Sequence, residues 1–521
     1  MKKISSLLLI GLTVLGTSCK KYLDINQNPN APATGTITPS LLLPQALTTT
    51  AGIVNGYNTM GAQLGGFMAN AGGYGGFGVS ITYNFTTSNF NGQFTGPYDN
   101  LEDYQTILDR TEGDATASYY NAAARIMKAY DYLLLVDAYN DVPYSEALKG
   151  SEVLTPKYDQ GPAIYKSLAE ELDAAIAAIN TGASTSGIQE LAVTDVLFHG
   201  DMTKWKQFAN TLKLKLMVQG QGKVTFSNTS FSADGFLSTD AIVNPGYVKD
   251  AGKQNPKWAT WGFSSTGSSG NKAWLPTTFA MAFYNGVKLT DPGRGAAIYY
   301  QYPNTPTNRL GFEGTSISAS PEGSFWYPSS NRTGSSAGNA SGVLKGSAAG
   351  MPILTAAESY FLQAEAAVKG IVAGDAKALF ESGILASFKY LYLKEDGSSI
   401  GNAVADAANY ISTNDTSPLV NVDLATTDEM KIEAIITQKY IAMNMVNSDV
   451  AWNDYRRTGY PKLVNSPSAS GTETFASTVS ESTRPDRLPS RILYPSSEGA
   501  YNSANVPRNI SPFTSLIFWA K

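Results

Sequence analysis

The 521-residue chain predicts a mainly α-helical protein, a solenoid of tetratricopeptide-like helix pairs with long irregular loop insertions forming the ligand face. Three observations predict it. Apolar residues recur every three or four positions in segments joined by short links. A hydrophobic content of 43% supplies a large core, while 48 Gly and 25 Pro with only 16% charged residues point to long ordered loops. The tetratricopeptide motif itself is absent, so the pattern supports the architecture alone.

Lys2 and Lys3 precede an apolar run, Ile4 to Leu15, that is shorter than the roughly 20 residues needed to span a bilayer. Residues 1–18 therefore read as a lipoprotein signal peptide, ending at Leu15-Gly-Thr-Ser-Cys19. Small residues before a cysteine form the pattern that the lipoprotein peptidase reads, although Gly16 stands where a large aliphatic residue is usual. Cys19 is the expected lipidation site, and the chain would then be held by lipid rather than by a helix. Ordinary secretion with a free thiol is the alternative. Residues 19–39, rich in Asn and Pro, read as a lipid-anchored tether, and 40–521 as one α-helical domain. Its scaffold lies mainly at 98–220 and 351–465, its loop-rich insertions at 61–97 and 221–350, and an irregular segment at 466–521.

The helices pair as 98–112 with 117–139, 161–180 with 201–219, and 355–370 with 373–391, followed by 426–446. Pro162 sits in a first turn, and Ile164, Leu168, Leu172, Ile176 and Ile179 form one stripe. From the N-cap Asp201, Trp205, Phe208, Leu212 and Leu216 repeat it, leaving Lys204, Lys206, Lys213 and Lys215 to a solvated surface. Thr355 with Glu358 and Thr426 with Glu429 have capping-box spacing. The stretch Tyr119 to Tyr139 is apolar on two sides and must be packed on two sides.

A net charge of −5 provides no basic face for nucleic acid. One Cys and one His exclude an internal disulfide, a Cys-rich zinc site and a multi-His metal centre, so neither metal nor cofactor is expected. His199 lacks any nucleophile elbow and reads as a residue at a helix start. Glu102-Asp103 and Glu170-Glu171 are helix neighbours pointing about 100° apart, unable to straddle one glycosidic bond. Asp137 and Asp141 flank a helix end, where capping or loop bracing is the default. No enzymatic activity is expected; the alternative is a surface glycoside hydrolase whose carboxylate pair forms at long range.

The insertions carry the candidate binding residues: Tyr74, Phe77 and Tyr83 in the first, and Trp258, Trp261, Trp274, Trp326 and Tyr327 in the second. Aromatic faces stack on the C–H faces of sugar rings, so these residues would suit a glycan platform. Alternatively, they form the small core that any large loop region needs.

The chain resembles the SusD/RagB-like outer-membrane nutrient-binding lipoproteins of Bacteroidota. The matching segments are Cys19 to Asn30, Val136-Asp-Ala-Tyr-Asn-Asp-Val-Pro-Tyr-Ser-Glu-Ala-Leu148, Gly200 to Lys213, Met351 to Glu365, Ile436 to Ala442, Ala451-Trp-Asn-Asp-Tyr-Arg-Arg-Thr-Gly-Tyr-Pro461 and Arg491 to Glu498. His199 departs from the glycine common in that family. The resemblance implies a surface-exposed lipoprotein, lipid-anchored in the outer membrane. Its implied partner is a SusC-like TonB-dependent transporter, to which it would deliver an oligosaccharide, or a peptide, as a lid.

Overall fold

The computed structural model describes residues 37–312, 321, 323–328 and 340–521. The expected signal peptide, Cys19 and nearly all of the expected tether lie outside the described residues. Ten long helices carry the fold: α1 (Pro39–Leu64), α2 (Gly92–Thr111), α3 (Ser118–Tyr139), α4 (Gly161–Gly182), α5 (Met202–Gln219), α6 (Ala356–Val368), α7 (Ala376–Tyr392), α8 (Ala403–Thr413), α9 (Asp428–Met443) and α10 (Ser448–Thr458). Three two-stranded antiparallel ribbons brace the loops: β1 (Met68–Asn70) with β5 (Trp274–Pro276), β2 (Val142–Pro143) with β3 (Tyr158–Asp159), and β4 (Ala241–Val243) with β6 (Met351–Leu354). The predicted helical architecture is present, with each helix from α2 to α7 packed on its neighbour in sequence. No described helix is long and apolar enough to cross a membrane.

Helix α1 has no counterpart among the predicted elements. Its sequence mixes Thr, Gly and Asn with Pro44, a poor helical composition. Tertiary contact overrides that propensity, because α1 lies between α2 and α10 and is buried along most of its length. It runs antiparallel to α2. The Tyr57 hydroxyl donates to the Gln93 carbonyl at 2.6 Å, and Thr50 meets the Tyr104 hydroxyl at 2.9 Å. At Gly61 the backbones of α1 and α10 approach so closely that an added Cβ would stand 2.1 Å from the Asp449 nitrogen. Helix α10 thereby returns the C-terminal half of the chain to its N-terminal half.

Two expectations at helix surfaces need correction. Lys213 and Lys215 are buried rather than solvated, because α5 is flanked on both sides. Lys213 pairs with Asp173 of α4 at 2.7 Å, and Lys215 pairs with Glu358 of α6 at 2.9 Å. Thr355 caps α6 as expected, accepting from the Glu358 N–H at 3.2 Å, but the Glu358 carboxylate goes to Lys215. The cap of α9 is Thr427, one residue beyond Thr426, and it accepts from the Met430 N–H at 3.2 Å.

Ionic groups knit the interior. Arg457 of α10 forms a fork with Glu365 of α6 at 2.5 and 2.8 Å and also reaches Asp454 at 2.9 Å. Lys439 of α9 meets the second Asp454 oxygen at 2.9 Å. Burial pushes the Glu365 carboxyl upward, but Arg457 and Lys369 prevail and hold it at about 2. Asp131 is different. It accepts from the Asn100 amide at 2.8 Å and the Thr50 hydroxyl at 3.4 Å, with no cation beside it, and burial raises it to about 7.

Gly61→Ala lowers stability by at least about 2 kcal/mol in denaturant unfolding, since backbone cannot yield as a side-chain tip can. For Asp131, the folded chain binds a proton that the unfolded chain releases, so its contribution is present below about pH 4 and is lost as pH rises through about 7. Asp131→Asn can keep its oxygen on the Asn100 amide while its NH2 donates to the Thr50 hydroxyl in place of accepting from it, and is expected to gain roughly 1–4 kcal/mol over the parent at pH 8, a gain that shrinks toward pH 4. Unfolding curves at both pH values check it; an equal gain at each would sink the assignment.

Candidate functional site

The site is built on the β1–β5 ribbon, whose register sets Asn70 opposite Trp274. One more bond, Ala71 N–H to the Ala273 carbonyl at 2.7 Å, extends it. The chain then enters Gly-Gly-Tyr74-Gly-Gly-Phe77-Gly, where Gly73 (φ 83°) and Gly76 (φ 82°) take left-handed turns that a side chain would strain. Those turns stand the two rings out of the body. Tyr74 is 43% exposed, and Phe77 meets Trp274 edge-on with centroids 5.2 Å apart. A T-shaped pair of this kind fixes both rings and adds about 0.5–1.5 kcal/mol beyond its buried area.

A third loop is bolted beside them by amide side chains. Asn70 donates to the Phe312 carbonyl at 3.1 Å and accepts from the Gly311 N–H at 2.7 Å. Asn308 donates to both the Asn70 carbonyl at 2.9 Å and the Phe312 carbonyl at 2.8 Å. The Phe312 ring, 48% exposed, is thus held to the same ribbon. Sequence reasoning missed Phe312, yet it carries the same sign as Tyr74 and Phe77: a lone ring beside a left-handed glycine, here Gly311 (φ 82°).

The remaining predicted binding residues are not brought to this rim. Tyr83, Trp258, Trp261, Trp326 and Tyr327 are fully buried, correcting the expectation that they present faces to ligand. Trp258 packs edge-on against Tyr327 at 5.7 Å and near Phe263 at 5.6 Å, while Trp261 meets Trp326 at 5.4 Å. The second insertion has too few helices to bury a core by stripes, so its aromatic rings supply one. Tyr83 is drawn inward by a left-handed backbone (φ 62°), and its hydroxyl accepts from the Ser477 N–H at 3.3 Å.

Several other polar groups hold structural positions. Asp137 is a core residue rather than a cap, whereas Asp141 braces the start of α4 by accepting from the Gly161 N–H at 3.0 Å. Asp291 caps a short helix and pairs with buried Arg294 at 2.5 Å. Exposed His199 (φ 56°) precedes the α5 cap Asp201. Glu171 pairs with Arg125, and Glu170 accepts from the Ser227 hydroxyl at 2.6 Å. Among the described residues, no cluster of three His, Cys, Asp or Glu side chains could hold a metal ion.

This arrangement can hold a ligand by ring stacking at a braced rim. Comparison with solved structures finds the same fold repeatedly. A SusD homologue from Bacteroides fragilis superposes with a TM-score of 0.65 at 21% identity, covering 93% of this chain and 100% of its own. One from Bacteroides uniformis gives 0.65 at 23% identity, covering 92% and 99%. A chitin-binding SusD homologue from Flavobacterium johnsoniae gives 0.65 at 22%, covering 91% and 99%. No curated protein is significantly similar in sequence. Residues 29–495 match the family described as SusD-like, starch-binding associating with outer membrane; the chain belongs to that family.

Proposed function

We propose that the protein is an outer-membrane lipoprotein, acylated at Cys19 and facing the cell exterior. It holds an oligosaccharide on the rim of Tyr74, Phe77, Trp274 and Phe312 and delivers it, as a lid, to a SusC-like TonB-dependent transporter. The observation carrying this reading is the rim itself: aromatic rings left partly exposed on loops pinned to one ribbon by Asn70 and Asn308. Exposed rings cost solvation unless something covers them, and a braced rim loses little entropy when a sugar does so. The role needs no bond-making, only capture and release, and the family's described association with starch and the outer membrane supports it. Chitooligosaccharides join maltooligosaccharides as ligands to test because a relative of the same fold is named for chitin binding.

Trp274→Ala is expected to weaken oligosaccharide binding at least about tenfold by titration calorimetry, or about 1.4 kcal/mol. Trp258→Ala should instead lower the unfolding midpoint by several degrees while each folded molecule keeps its affinity. The rim is wrong if affinity follows Trp258 and ignores both Trp274 and Phe312. A copurifying peptide would replace the sugar as cargo, and hydrolysis abolished by one carboxylate substitution would make the protein an enzyme.

Cys19→Ser should move the protein from the membrane fraction to the soluble fraction. Pull-down of the parent from outer membranes should recover a TonB-dependent barrel; a protein that always purifies alone has no lid role.

A further inference from the structure

Three aromatic side chains stand out as markedly exposed among the described residues. Tyr74 and Phe312 belong to the rim; the third, Tyr501, is 81% exposed and lies elsewhere. It ends the short helix Ser496–Tyr501, which borders a groove of about 360 Å³ facing α2. Tyr98, Asp99 and Glu102 of α2 line one side, with Leu154, Tyr501 and Asn502 across from them.

Nothing about the Tyr501 support is loose. The Ser496 N–H donates to the Thr87 carbonyl at 3.0 Å, and the Tyr158 hydroxyl donates to Glu498 at 2.6 Å. Asn502 and Asn505 reach the carbonyls of Pro156 and Thr155 at 2.7 and 3.0 Å. On the facing wall, the Tyr98 hydroxyl is tied to the Pro143 carbonyl at 2.6 Å. A rigid helix therefore carries a ring that contributes almost nothing to the core.

We propose that this groove is a second carbohydrate-binding site, with the Tyr501 ring as its stacking face and the Asp99 and Glu102 carboxylates as acceptors for sugar hydroxyls. The inference rests on the glycan reading of the rim. Its volume falls within the range of small-ligand sites, roughly 300–1,000 Å³. Exposed carboxylates beside an exposed ring suit a neutral ligand rich in hydroxyl donors, which satisfies the acceptors without bringing a charge. The larger hollow of about 600 Å³ between α2, α3 and α4 lacks this combination. It has no aromatic lining, and its polar groups pair with one another, Arg125 with Glu171 and Lys128 with Gln105 at 2.5 Å.

The test is calorimetric titration of the full chain with chitohexaose and maltohexaose, using Trp274→Ala, Tyr501→Ala, Tyr501→Trp and Glu102→Gln. Tyr501 is too exposed for its replacement to unfold the chain, which circular dichroism verifies. The expected result is residual sugar binding in Trp274→Ala that Tyr501→Ala, added to the same background, weakens at least tenfold, that Glu102→Gln weakens, and that Tyr501→Trp preserves. Binding abolished by Trp274→Ala and indifferent to Tyr501→Ala overturns the second site while leaving the rim intact. No binding of either sugar by the parent overturns both. If Tyr501→Ala leaves sugar affinity untouched but loses a barrel that the parent recovers from outer membranes, the groove is a protein contact and the proposal falls.

Discussion

Asp137 of α3 lies in the interior where α4, α5, α10 and the C-terminal segment converge on it, and each of those four sends it a donor. The Tyr165 hydroxyl of α4 and the Trp519 indole, at 3.1 Å, donate to one carboxylate oxygen. Gln219 of α5, at 3.3 Å, and Asn453 of α10, at 3.1 Å, donate to the other. Arg456 reaches the Asp137 carbonyl at 2.7 Å and stacks over Trp452 at 3.6 Å. A carboxylate removed from water costs several kcal/mol unless its lone pairs are met, so all five segments must be in place for this one to be tolerated. Burial pushes the Asp137 carboxyl up, while Lys215 and Arg456 pull it back.

The constraint extends outward from that point. Arg491 and the Tyr494 hydroxyl both donate to the Tyr139 carbonyl, and Tyr494 also reaches the Asp141 carbonyl at 2.7 Å. The Phe518 N–H finds Asn140 at 2.6 Å. The stretch from Val136 to Leu148 thus serves as a docking strip for the last thirty or so residues, which contain little regular structure of their own. Long loops become ordered here by satisfying the carbonyls and carboxylate at one helix end. Ordering of that kind lets a helical stack present irregular segments as fixed surfaces, which a stacking rim requires.

The aromatic residues show how far composition reaches. Eight predicted rings in glycine-rich insertions share one signature, yet five are interior and three stand at the rim beside Phe312. What separates them is the backbone between them. Gly73 and Gly76 turn Tyr74 and Phe77 outward, whereas the Pro256–Trp261 turn and its neighbours fold Trp258 and Trp261 against Tyr327 and Trp326. Asn70, with no sign in the sequence of its importance, holds the ribbon and the Phe312 loop together across more than two hundred residues.

By itself the sequence determined helices α2 to α7 and α9, because apolar spacing, caps and breaking glycines are local properties. It also determined family membership, through motifs that prove to be structural: Asp137, Arg456 and Arg457 all lie in matching segments. Only the tertiary structure decided that α1 is a helix, that Lys213 and Lys215 are buried, and which rings face solvent. Each of these depends on what packs against a residue from far along the chain. A buried lysine and an exposed one have the same helical spacing until the opposing carboxylate arrives.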